Sequence, residues 1–274
     1  MSEEVVIQEP LDITSSLVLY EQEKALIDSQ VATAKAFPRN ISRALDNAMA
    51  TATMDVETAQ TCTYAVPRGG KQITGPSVHL ARILVQFWGN LRVDARVVSV
   101  DKTHVTSEAV CYDLETNVAV RVQVKRSITG KHGRFNEDMI TVTGNAANAV
   151  AFRNAVYSVI PKAIVDKVYK ETQRKILGDV SDKTKFLAKR KQVFDGIQGA
   201  FEVTEKEILK AIGKASLAHV TQEDLVVLIG YAQSIKDGDT TIESVFRGAK
   251  EKGNTDENYK EVFKDEKGEQ GSLL

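Results

Sequence analysis

Apolar positions along this chain change period twice. Near the N-terminus, Leu17, Leu19, Ile27 and Val31 recur among acidic residues at helical spacing. This predicts a helix that starts near Ser15 or Ser16 and is broken by Pro38. Ile41, Ala44, Leu45, Ala48 and Met49 then share one face of a second helix over 40–53, and Asp55 is placed to cap a short turn. Between 61 and 127 the period falls to two. A short strand over 61–66 leads into a Gly-rich turn and then a helix over 76–88, with Pro76 at its first position and Gly89-Asn90 at its end. Three strands follow, over 91–100, 104–113 and 117–128, with the turn-like segment Leu114-Glu115-Thr116-Asn117 between the last two, and they can pair as an antiparallel meander. In the third, Val120, Val122 and Val124 point one way and Arg121, Gln123 and Lys125 the other.

Helical spacing returns after an expected mobile loop over 129–139. A long basic helix is expected from about Gly144 to residue 175, divided at Pro161 because an internal proline removes a hydrogen bond and clashes with the preceding turn. Further helices are expected around 184–199. Residues 203–246 read as a small helical module whose starts are capped by Thr204 and Thr221. The fold class is therefore α+β: a small antiparallel meander packed with helices, including a long basic one, followed by a helical C-terminal module. The expected division is a flexible segment over 1–16, a core over 17–200, an accessory module over 201–246 and a disordered polar tail over 247–274.

Charge changes the picture more than composition does. The net charge of −1 conceals a segregation: residues 121–191 hold 16 Lys and Arg against 6 Asp and Glu, whereas 1–60 hold 4 against 10 and 192–274 hold 10 against 16. A basic stretch between two acidic ends points to a polyanionic partner, or to a solvated helix face rich in lysine. The acidic start MSEEVVIQEP lacks the basic-then-apolar layout of a secretion signal, and no apolar run is long enough for a membrane span. The expectation is thus a cytoplasmic protein with no membrane partner.

Catalytic carriers do not stand out. Pro67-Arg68-Gly69-Gly70-Lys71 is rich in glycine and cations, but Gln72 follows Lys71 where a phosphate-binding loop of an ATPase needs a Ser or Thr hydroxyl for magnesium. The turn still suits a phosphodiester, with a plain hairpin loop as the alternative. A metal-dependent nuclease commonly needs an acid-x-Lys strand, and here Gln123-Val124-Lys125 puts an amide in the acid's place. His79, His104, His132 and His219 show no ligand spacing, and Cys62 and Cys111 read as buried structural thiols. No metal or cofactor is implied. Arg68, Lys71, Arg82, Arg121, Lys125, Lys131 and Arg134 are the expected phosphate contacts, and Tyr64 and Phe135 the candidate base-stacking rings.

Tyr64-Ala65-Val66-Pro67-Arg68-Gly69-Gly70-Lys71, Gly75, Leu80-Ala81, Ala95-Arg96-Val97-Val98 and the helix 147–161 with Arg153 resemble the RecT and lambda Beta family of phage single-strand annealing proteins, over about residues 35–175. The resemblance implies a non-enzymatic, ATP-independent protein of (pro)phage homologous recombination in the bacterial host cell. It would hold single-stranded DNA in a basic groove and pair it with a complementary strand as an oligomeric ring or helical filament. It also implies Arg68, Lys71, Lys125, Arg126, Arg153 and Lys162 as phosphate contacts, and contact with a phage exonuclease or host single-strand-binding protein through 201–274. The other readings are a metal-dependent nuclease or other DNA-processing enzyme, and a protein-interaction or phage structural module.

Overall fold

Pro38 and two capping side chains cut the N-terminal helical pattern into three helices: α1 (Ile13–Ala36), α2 (Ile41–Ala52) and α3 (Val56–Thr61). Asn40 Oδ1 accepts the Arg43 N–H at 2.9 Å and Asp55 Oδ1 the Thr58 N–H at 2.7 Å, each satisfying a donor that a helix start leaves free. The computed structural model describes residues 13–68, 71–130, 133–180 and 182–247. The described chain thus starts in helix at Ile13. The helix begins ahead of Ser15 and Ser16, so 13–16 are not the flexible entry expected of them, while 1–12 lie outside the described residues along with the expected tail from 248 on.

Strands β1 (Thr63–Arg68) and β2 (Lys71–Pro76) pair as a two-stranded hairpin sheet, and Gly69 and Gly70 between them lie outside the described residues. Pro76 ends β2 instead of opening a helix. The cap of α4 (Val78–Trp88) is Ser77, whose Oγ accepts the N–H groups of His79 and Leu80. Gly89 and Asn90, at φ of 70° and 51°, turn the chain into the meander β3 (Leu91–Val100), β4 (His104–Asp113) and β5 (Val118–Ser127), antiparallel in the order β3-β4-β5. The loop after it holds the short pair β6 (Thr129–Gly130) and β7 (Gly133–Arg134). Helix α5 (Glu137–Val159) starts seven residues ahead of Gly144, because Asn136 caps it and Glu137 and Asp138 favour the positive end of its dipole. Pro161 separates it from α6 (Lys162–Leu177), and α7 (Lys183–Phe201), α8 (Glu205–Ala211), a 3-10 turn, α9 (Gln222–Lys236) and a π turn at Glu243–Arg247 follow. The protein is α+β, as its pattern predicts.

The described residues gather into two compact units, one of 13–63 with 76–176 and one of 64–75 with 177–247. The helix of 183–201 and the hairpin of 64–75 group with the C-terminal helices, where the sequence places a boundary at 200.

In the first unit α5 covers one face of the meander with a row of small residues, Gly144, Ala147, Ala151 and Ala155, all buried. A Cβ at Gly144 would stand 3.2 Å from Val97 Cγ2, so a larger residue there would push helix from sheet. Ala44, Ala48 and Ala52 of α2, Leu80, Leu84 and Trp88 of α4 and Val165 and Val168 of α6 close this core. Arg39, in the link between α1 and α2, ties the layer to the sheet. Its guanidinium lies 4.9 Å from the Trp88 ring centre and donates to Asp113 at 2.7 and 2.5 Å and to Glu115 at 2.9 Å. Burial works against the charged Asp113, but the hydrogen bonds from Arg39 and from the Glu115 N–H outweigh it and hold its carboxyl below the usual range. Glu115 is lowered in the same way, against burial, by hydrogen bonds from Asn90 and Arg39.

In the second unit α9 packs on the hairpin. The Ala65 N–H donates to Ser234 Oγ at 3.1 Å, and a Cβ at Gly230 would stand 3.0 Å from Ala65 N. Gln72 donates to the Ala211 carbonyl at 2.9 Å, and Ile208, Leu225, Leu228, Tyr231 and Phe246 fill the core. Both predicted threonine caps are present as full capping boxes, Thr204 with Glu207 and Thr221 with Asp224.

Candidate nucleic-acid interface

The meander has one face under α5 and one face turned away from it, and the pleat decides which side chains reach the second. Val120, Val122 and Val124 stand in register with Cys111, Ala109 and Ser107 on the covered side. Arg121, Gln123 and Lys125 alternate with them on the other face, as predicted, about 6.8 Å apart at two residues per repeat. Register places Glu108 between Arg96 of β3 and Gln123 of β5, and Thr106 beside Lys125. Glu108 is buried in this row, where Gln123 Nε2 donates to it at 2.9 Å and Arg121 Nη1 lies at 3.3 Å. The charge of Arg121 is thereby partly offset. Arg96 and Lys125 are exposed and have no partner among the described residues, so they are the cations of this face free to meet an outside anion.

The remaining expected contacts are scattered. Arg126 has the other parity, opposite Val105, and is already partnered. Arg134 donates to the Asp101 carbonyl at 2.5 Å, and Lys162 is bonded to Asp166 one turn along α6 at 2.5 and 2.7 Å. Arg153 is half-buried on α5, with Nε 3.4 Å from Asn154 Oδ1, while Arg82 is exposed on α4. Lys131 lies outside the described residues. Arg68 and Lys71 are exposed on the hairpin and belong, with Tyr64, to the second unit. The Tyr64 ring packs over Gly75, and Phe135 is half-buried against Val105, Ile128, Ile140 and Ala147, so each ring has a packing role. The structure therefore brings together Arg121 and Lys125, and adds Arg96, which was not among the expected contacts. Lys167 and Lys170, exposed at i and i+3 on α6, form a second basic row that Arg174 at i+7 extends, although Glu171 already accepts from Arg174 at 2.5 Å; that spacing was the signal for it.

Burial pushes the Cys62 and Cys111 thiols up to about 12, which leaves them protonated and unreactive at neutral pH. Among the described residues no three His, Cys, Asp or Glu side chains lie where they could hold a metal ion, and no helix is long and apolar enough to cross a membrane. A scan against protein-family models and searches of curated proteins and of solved structures give no match for the chain.

Proposed function

We propose that this chain binds and anneals single-stranded DNA without ATP, in (pro)phage recombination in the bacterial cytoplasm, as a ring or filament of copies. The observation that carries the reading is the open face of the meander, where Arg96, Arg121 and Lys125 stand in neighbouring registers with two of their charges unspent. Arg121 and Lys125, two side-chain repeats or about 14 Å apart on β5 with Gln123 between them, suit alternate phosphates of an extended strand lying along β5. The segregated charge of 121–191 and the exposed row on α6 extend the same surface character. Neutralising one strand lowers its repulsion for a second, which is what annealing requires, and no bond has to be broken. Copies joined side by side turn weak contacts into tight holding of a long strand. An exonuclease or a host single-strand-binding protein is the proposed partner of the acidic C-terminal region.

The test mixes complementary labelled oligonucleotides without ATP and follows pairing. The native protein accelerates it, and a variant with Arg96→Ala, Arg121→Ala and Lys125→Ala slows it about tenfold or more. That variant also loses about two from the slope of log affinity against log salt, at about 0.7 per single-strand phosphate contact. A second variant, Arg68→Ala with Lys71→Ala, reports the hairpin separately. No acceleration by the native protein, or full activity in the meander variant, would sink the reading. Shorter products on adding magnesium would instead favour a nuclease.

A further inference from the structure

The first unit contains a cavity of about 200 Å³ away from the residues assigned above. It is bounded by Phe37 and Arg39 between α1 and α2, by Arg43 and Asn47 on α2, and by Trp88 and Asn90 at the end of α4. Its size admits one flat ring and is below that of pockets for larger ligands. Phe37 lines it with a side chain that is 74% exposed, on a backbone that the following Pro38 restricts. The opposite edge is polar. Asn40, Arg43 and Asn47 share one stripe of α2, and Asn40 spends its Oδ1 on the Arg43 N–H and keeps its NH2. The Arg43 guanidinium and the Asn47 amide have no partner among the described residues.

Arg39 does not make this cavity an anion trap, because Asp113 and Glu115 already offset its charge. What is left is an aromatic platform, amide groups able to both donate and accept, and one free cation at the rim. A planar heterocycle with donors and acceptors on its edge, attached to a phosphate, matches all three. We propose that this cavity takes one unstacked nucleobase of a bound single strand, with its ring on Phe37, its edge toward Asn40 and Asn47, and the adjoining phosphate at Arg43. The inference rests on the single-strand reading and adds a base-holding site to its phosphate-holding face. Holding a base out of the stack at a fixed point in each copy keeps a bound strand from sliding along its phosphates.

Trp88 is the only tryptophan in the chain and it lines this cavity, so its fluorescence reports occupancy directly. The full chain is titrated with oligodeoxythymidylate and with an abasic oligomer of the same length, while binding is followed by anisotropy of a label on the DNA. The expected result is that both bind and only the oligomer with bases changes Trp88 emission. Phe37→Ala, an exposed position that leaves the core intact, weakens the emission-detected phase about tenfold, the loss of one base stack. Arg43→Gln weakens it less and lowers its salt dependence. Binding of both oligomers with equal emission changes, or with none, overturns the cavity and leaves the single-strand reading standing. Failure of both oligomers to bind overturns both readings, and binding of only the oligomer with bases supports the base site.

Discussion

The first unit leaves a polar sheet face open, whereas the helices of the second spend their polar residues on themselves. In the first, small side chains on α5 let the helix lie close on one side of the meander, and Arg96 and Lys125 have no partner among the described residues on the other. In the second, Thr204 and Thr221 close capping boxes, Lys214 Nζ lies 3.0 Å from Asp224, and Ser234 receives the Ala65 N–H of the hairpin. The comparison teaches that a count of cations locates a binding surface poorly. What matters is which cations the fold has already paired, since a partnered one has little left to offer an outside phosphate.

The largest expected effect breaks the first unit where its layers are tied. Arg39→Ala leaves Asp113 and Glu115 without their cation in a buried setting and is expected to lower stability by about 3–5 kcal/mol in urea denaturation. The same pair makes the first unit acid-sensitive. Both carboxyls have folded pKa values below their unfolded ones, so their contribution is present above about pH 4 and is lost as pH falls through the folded values. Stability measured against pH should fall on acidification, and Asp113→Asn with Glu115→Gln should flatten that part of the curve.

Breaking the second unit takes a different kind of change. Gly230→Leu places a side chain where the hairpin backbone runs, and is expected to cost about 1–3 kcal/mol, with faster hydrogen exchange at Ala65 and along α9. Smaller again, Thr204→Ala and Thr221→Ala each remove a cap worth about 1 kcal/mol. If these two cost nothing, the claim that the second unit's helices depend on their own polar ends is wrong.

Much of the fold was legible in the chain because its signals are local. Alternation over 118–127, the caps at Asp55, Thr204 and Thr221 and the break at Pro161 all act within a few residues. The start of α5 was misplaced because its buried apolar stripe begins only at Ile140, three residues after its polar first residue Glu137. Pro76 was misread because a proline suits a strand end as well as a helix start, and the Ser77 hydroxyl was the better cap. The candidate site was less legible: Arg121 and Lys125 follow from parity, but Arg96 joins them only through the β3–β4 register.

The sequence by itself determined the period of each segment, the ends of most helices and the two faces of β5, since these depend on backbone geometry and hydrogen bonds between near neighbours. Tertiary structure alone decided that the hairpin of 64–75 completes a unit with α9, and which cations stay free. Ala65 meets Ser234, and Arg39 meets Asp113, across separations that no local preference encodes. The availability of a charge is settled only when the rest of the chain has folded around it.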